Sequence, residues 1–561
     1  MKGIARLTCL LAALVVAPSV EAQQLQGTES AGRSVARILG ISPEQGGKCG
    51  SSAIFEAFSR WSQLNSETKA AIMKVVARPD KQAFRDSPSG RFRIHYDTSA
   101  TDSPALITSG SNAQRIPNTA EQFIDSVAYY FEYAWKLEVD TLGYPAPPSD
   151  GLAGGGPQYD IYVSYLKPGL FGETTPDDQI AAGPPARYTS YISIDCDFLG
   201  FRTPGIAALS ITAVHEFHHA IQMGDYGAWW SQPDDRWFYE LTSVWMEHIG
   251  FPGIPDYLFD LPNYLQRFRD GMSRSYSLNS TQYGGYERSI WAQFLSKRFG
   301  REVIKNIWEG MTHTPALASI TSVLQQRGSS LPSEYALFSL WNYYTADRAD
   351  PSRYYDDGRS FPRFLPNVSE SFNGLSSSFS TAAYPLSTQF IELALTKDTV
   401  TAIIANVDAG SAETSNSSTY SFELQASSGS SQPPFQRIAP GLALAFTASD
   451  SRQWRTAYVL SSTGANVNSS SSASPNPLKL DQSTELVLPI ENSAARDADV
   501  YFLTSAMELV FSRRYPVTAS LAGRAVRVPT SDLQGGLATG VYFVLARCAD
   551  AEFKWKVAII R

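Results

Sequence analysis

The sequence is poor in the residues that bind metals or form cross-links, with only six histidines and four cysteines in 561 residues. Stability resting on a dense disulfide framework is therefore excluded. Charge of one sign is also missing: charged residues make up 18% of the chain and the formal net charge is -8. No basic stripe is present, which excludes the electrostatic footprint of a nucleic-acid-binding surface. Beyond the N-terminus no apolar run reaches membrane-spanning length, and no internal repeat marks a solenoid or propeller.

What is present is apolar material for several cores, 43% hydrophobic and 12% aromatic, at a length that suggests three or four domains. The opening "MKGIARLTCLLAALVVAPSVEAQ" has the parts of a secretory signal. Lys2 and Arg6 supply the positive end, Leu7 to Ala17 the apolar run, and Val20-Glu21-Ala22 a small-residue cleavage site. Cys9 falls within that signal. The expectation is an exported chain with no transmembrane segment once residues 1–22 are removed. Cys49, Cys196 and Cys548 then meet an oxidising compartment, so one disulfide is expected, with Cys49–Cys196 the preferred pair. The sharper alternative is that Cys49 caps a metal in a latent precursor.

Composition divides the rest. Residues 23–88 read as a helical leading segment or propeptide, with helical apolar spacing in "SSAIFEAFSRWSQL" and "SETKAAIMKVVA". Residues 89–362 read as an α+β domain with strands in "RFRIHYD", "YDIYVSYL" and "TSYISID" and a helix opening at Asn118. Further helices lie in "DRWFYELTSVWMEHIG", "YERSIWAQFLSKRFG" and "REVIKNIWEGM". Residues 363–460 break into short strands with Ser-, Gly- and Pro-rich turns and read as a β-sandwich. A Ser-rich linker covers 461–474, and a second all-β module covers 475–561.

Chemistry concentrates in "AVHEFHHAIQ", residues 213–222. At about 100° per helical residue, His215 and His219 lie one turn apart on one face with Glu216 beside them. Two such imidazoles can hold one zinc ion and leave Glu216 to take a proton from water. His218 points about 100° away from His219 and reads as packing. With six histidines, chance produces His-Glu-x-x-His on the order of once in a few hundred such chains. A catalytic zinc needs a third protein ligand, and two candidates compete. Asp225 suits a tight turn after His219, although that turn normally takes glycine where this chain has Gln222. Glu240 would arrive on a second, crossing helix.

"HEFHH" followed by "WFYELTSVWME" resembles the gluzincin arrangement of thermolysin-like and aminopeptidase-type enzymes, and that resemblance favours Glu240 as third ligand. It also matches Glu247 to an acidic position of the aminopeptidase motif. The aspartate that thermolysin carries four residues after the ligand is replaced by Val244, so the resemblance leaves Glu247 to orient the histidines. Tyr283, and less closely Tyr286, sit where gluzincins carry an oxyanion-stabilising side chain. Over residues 85–315, "GRFRIHYDT", "YDIYVSYL", "GLFGETTP", "TSYISIDCDF" and "YGGYERSIWAQFLSKRFG" occur in the order found in a family of secreted metalloproteases of Bacteroidetes and myxobacteria. That family usually has an Asp-rich, calcium-loop-like stretch where this chain reads "SGSNAQRIPNTAEQF", so Ca2+ is unsupported here. "SPNPLKL" with the closing "LATGVYFVLARCADAEFKWKVAIIR" resembles a type IX secretion sorting domain.

The resemblances imply a zincin-like catalytic domain followed by two sandwich-like β modules. They imply one catalytic zinc, a protein or peptide substrate, the type IX machinery as partner, and a secreted or cell-surface location. An extended substrate is expected to pair along the strand "YISID". The implied activity is endopeptidase. An aminopeptidase is the nearest alternative, although its Gly-x-Met-x-Asn motif is missing. A non-catalytic zinc-bearing adhesin is the alternative from another class.

Overall fold

Strands with apolar runs on both faces need cover from both sides, and the first sheet is built on that requirement. The computed structural model describes residues 48–561 apart from short gaps, the longest at 228–234, 266–277, 408–417, 428–435 and 463–472. The expected signal with Cys9, the start of the leading segment and most of the Ser-rich linker lie outside the described residues. The chain is mixed α/β and forms two compact units, Met1–Lys136 with Pro145–Trp230 and Leu137–Tyr144 with Ser231–Arg561. Among the described residues no helix is long and apolar enough to cross a membrane.

In the first unit the leading segment forms α1 (Ser51–Ser59) and α2 (Ser66–Val75), the latter capped by Asn65 Oδ1 accepting from Thr68 N. A five-stranded sheet follows, made of β1 (Ala83–Asp86), β2 (Phe92–Tyr96), β3 (Tyr159–Ser164), β4 (Gly172–Ala181) and β5 (Arg187–Asp195). Its order is β1-β2-β3-β5-β4, with β2, β3 and β5 mutually parallel and β4 antiparallel at the edge. Helix α3 (Ala120–Trp135) starts two residues after Asn118, which takes a left-handed φ of 62°. Helix α4 (Gly205–Ile221) carries the three histidines and is buried over almost its whole length.

The edge expectation changes here. "YISID" lies inside β5, hydrogen-bonded to β3 on one side and β4 on the other, so it offers no free edge. The edge belongs to β4, "GETTPDDQIA", whose Pro176 and register shifts are tolerated there because an edge strand needs only one ladder.

In the second unit α5 (Arg236–Gly250), α6 (Leu261–Leu265), α7 (Ser289–Phe299), α8 (Glu302–Met311), α9 (Ala316–Gln326) and α10 (Leu331–Tyr343) pack around Trp237, Trp245, Trp291 and Trp308, all fully buried. The strands between Val368 and Ser462 form one sheet of three and one of five. In the final module seven strands join into one continuous sheet, with the long strand Leu509–Ser520 pairing on to two different sets of neighbours along its length. Its edges, Leu478–Lys479 and Glu485–Pro489, are close in sequence. Six Cα steps reach at most about 21 Å, whereas six strand spacings laid flat cover about 29 Å. The sheet must therefore curl round on itself. Asn476 ties its start to its end: Nδ2 donates to Lys556 O (2.8 Å) and Oδ1 accepts from Ala558 N (2.9 Å).

Candidate metal centre

Helical periodicity delivers the first part of the site as the sequence implies. His215 and His219 are buried, and their Nε2 atoms face each other at 3.2 Å. Two nitrogens each about 2.05 Å from one tetrahedral zinc would stand about 3.3 Å apart. The pair is therefore spaced for a shared ion. Cys49 joins them: its Sγ and one ring nitrogen of each histidine all lie within 4.8 Å of one another. Nitrogen and sulfur donors of this kind suit zinc.

His219 is oriented by a residue that sequence reasoning passed over. Gln222 Oε1 accepts from its Nδ1 at 2.7 Å, which fixes the tautomer and frees Nε2. The signal was available, since residues 219 and 222 share a helix face. Gln222→Leu is expected to weaken zinc binding about 10–100-fold, measured by competition with a chromophoric chelator.

The helix continues through Gln222 (φ −54°, ψ −46°) into one wider turn, Gln222–Tyr226. The left-handed turn that would bring Asp225 back is not made, and Asp225 belongs to no group of metal-binding side chains among the described residues. Burial instead pushes its carboxyl up to about 7, against the pull of Arg187. A folded value above the unfolded one means that this carboxyl's stabilising contribution is complete below about pH 4 and is lost as pH rises towards 7. Asp225→Asn should match the native chain at pH 4 and gain about 1–3 kcal/mol at pH 8. Thermal melts at both pH values check this.

Glu216 is buried and lies outside the metal-binding group. Thr174 Oγ1, on edge strand β4, lies 2.8 Å from Glu216 Oε2 and 2.9 Å from the Glu216 carbonyl. Ser51 Oγ donates to the same Oε2 at 3.1 Å. Gly172 lets β4 approach, since a Cβ there would stand 2.9 Å from Glu216 Cγ and from Thr212 Cγ2. His218 is fully buried, and burial, followed by the neighbouring imidazoles, holds it well below the usual imidazole range. It stays outside the metal-binding group, as its direction on the helix implies.

The expected Cys49–Cys196 disulfide does not form, and Cys548 is in no disulfide among the described residues either. The two thiols are engaged in different places. Cys49 Sγ donates to Ser51 Oγ (3.1 Å), while Cys196 Sγ meets Thr101 O (3.7 Å) and is pushed up to about 12 by burial.

The remaining candidates belong to the second unit. Glu240 and Glu247 are two helical turns apart on α5, both buried. Tyr283 and Tyr286 lie in the short 3-10 segment Gln282–Arg288. Gly285 presses that segment onto α5: its φ is 102° and a Cβ would stand 2.6 Å from Trp237 O. Tyr286 is buried, whereas the Tyr283 side chain is outside the described residues. No protein-family model matches the chain, and no curated protein matches it significantly.

Proposed function

We propose that the chain is a secreted zinc-dependent endopeptidase with a zincin-like catalytic region. His215, His219 and Glu240 would hold one zinc ion, and Glu216 would act as general base. The observation that carries this reading is the 3.2 Å approach of the His215 and His219 Nε2 atoms beside a buried carboxylate that is not a ligand. The third ligand rests on the spacing of Glu240 from His219 and on its burial.

When bound, zinc supplies Lewis acidity and lowers the pKa of water towards neutrality. The chain's own residues do the rest. Thr174 orients the Glu216 carboxylate, which accepts a proton from the attacking water and passes it to the leaving amine. Gln222 keeps His219 in the liganding tautomer. Tyr283 is assigned to the developing oxyanion. An extended peptide would pair with the edge of β4. Export follows the N-terminal signal, and residues 475–561 would serve as the type IX sorting module, leaving the enzyme released or held on the cell surface.

The non-catalytic reading has one observation in its favour: Cys49 offers a further ligand, and structural zinc sites are closed by four protein ligands. The deciding test is hydrolysis of unfolded casein, with bound zinc measured by mass spectrometry, before and after limited proteolysis of the leading segment. One zinc per chain with casein cleavage supports the peptidase. One zinc per chain with no cleavage in either state overturns it in favour of the adhesin.

A further inference from the structure

We propose, resting on the zinc-peptidase reading, that residues 48–55 are a built-in latch. In it Cys49 takes the metal position that water needs, Ser51 engages the base, and the backbone fills the substrate edge.

Each part is in place within the first unit. The leading segment runs parallel to β4, with Phe171 N donating to Lys48 O (2.7 Å), Gly50 N donating to Gly172 O (3.1 Å), and Cys49 opposite Gly172. An edge strand is where an extended peptide adds to a sheet, so this stretch occupies the groove a substrate would use. Two glycines make the approach feasible. A Cβ on Gly50 would stand 2.4 Å from Glu173 Oε2, and one on Gly172 would meet Glu216 and Thr212. Next to them, Cys49 lies with His215 and His219. Ser51 Oγ accepts from Thr174 N (2.7 Å) and donates to Glu216 Oε2. Phe55 sets its ring edge-on to His219, with centroids 6.1 Å apart. Three side chains from seven consecutive positions thus reach a ligand or the base.

A catalytic zinc keeps one position open, and a thiolate there closes it. Loss of the thiol proton is balanced locally: Cys49 Sγ gives its proton to Ser51 Oγ, and Ser51 gives its own to Glu216 Oε2. The S–H bond breaks, a new O–H bond forms on the carboxylate, and the base is occupied while the metal is capped. Withdrawal of the segment reverses both.

The test uses the full exported chain loaded with Co2+, with Cys49→Ser and His215→Ala as comparisons. The expected result is a near-ultraviolet sulfur-to-cobalt charge-transfer band in the native chain that disappears in Cys49→Ser. Casein cleavage should rise at least about tenfold in the same variant, since each tenfold step is a small change in barrier. Should Cys49→Ser fail to fold, the native chain still answers. Iodoacetamide should label Cys49 slowly with metal bound and faster after chelation, read by peptide mass spectrometry. Cobalt bound with no sulfur band, or Cys49 labelling unaffected by chelation, overturns the latch and leaves the peptidase reading standing. A sulfur band with no gain of activity in Cys49→Ser makes Cys49 a permanent ligand and also overturns the latch. Failure to bind cobalt, or equal binding by His215→Ala, overturns the metal reading itself.

Discussion

Glu216→Gln in the Cys49→Ser background is expected to lower casein hydrolysis by about 10²–10⁴-fold while one zinc per chain is retained. The two effects separate because Glu216 lies outside the metal-binding side chains. Glutamine is close in size and keeps one acceptor for Thr174 Oγ1, now 2.8 Å from Oε2, so the helix and its contact with β4 should survive. What it cannot do is accept a proton in water and deliver it to the leaving amine. Turnover and zinc content measured on the same sample check this, and retained hydrolysis would remove Glu216 from the role of base. A joint loss of zinc and activity would instead mean that the carboxylate supports the fold of the site.

The second large effect is on stability. Arg78 follows α2 and binds three carboxylates at once. Its Nε and Nη2 donate to Asp177 Oδ2 (3.0 and 2.7 Å), Nη2 donates to Asp150, and Nη1 donates to Asp160. Asp150 and Asp160 are 4% and 1% exposed, so without Arg78 two buried carboxylates lose their guanidinium partner. Arg78→Ala should therefore destabilise the first unit by about 3–5 kcal/mol. Arg78→Lys should recover only part of this, because one ammonium cannot match the planar fork. The sign with pH follows from the carboxylates. Burial already raises the Asp150 carboxyl against the pull of Arg78, and without the guanidinium it rises further, so the folded variant binds more protons and loses stability as pH rises. Its deficit should be smaller at pH 5 than at pH 8, read as the midpoint of the first thermal transition. An equal deficit at both values would assign the loss to packing of Arg78 over the Tyr191 ring, 5.0 Å from the centroid.

The same features show which parts of the molecule could be read from the sequence. His215, Glu216 and His219 were legible because their arrangement is a local property of one helix. The paired helices of the leading segment were legible for the same reason. The edge of the first sheet was not. The apolar run "YISI" in β5 is what a strand covered on both faces requires, whereas the polar, proline-bearing "GETTPDDQIA" hides a strand whose only partner strand is β5. Cys49 could be imagined near a metal, but the hydrogen bond from Ser51 to Glu216 joins residues 165 positions apart, and no spacing rule reaches that far. Its alternative, the disulfide, followed from the compartment rather than from any geometry in the chain.

The closing module sets a condition on the order in which the chain can fold. Strand Glu552–Ile560 is interior to the seven-stranded sheet, pairing with Gly540–Arg547 on one side and with Leu478–Lys479 on the other. Residues about eighty positions apart must therefore meet before the sheet closes, and contacts of that separation form slowly. Until the last of these strands is made, the module has no complete core to collapse around. A chain caught at that stage is without a closed sheet, and its apolar strand faces are still open to other partners.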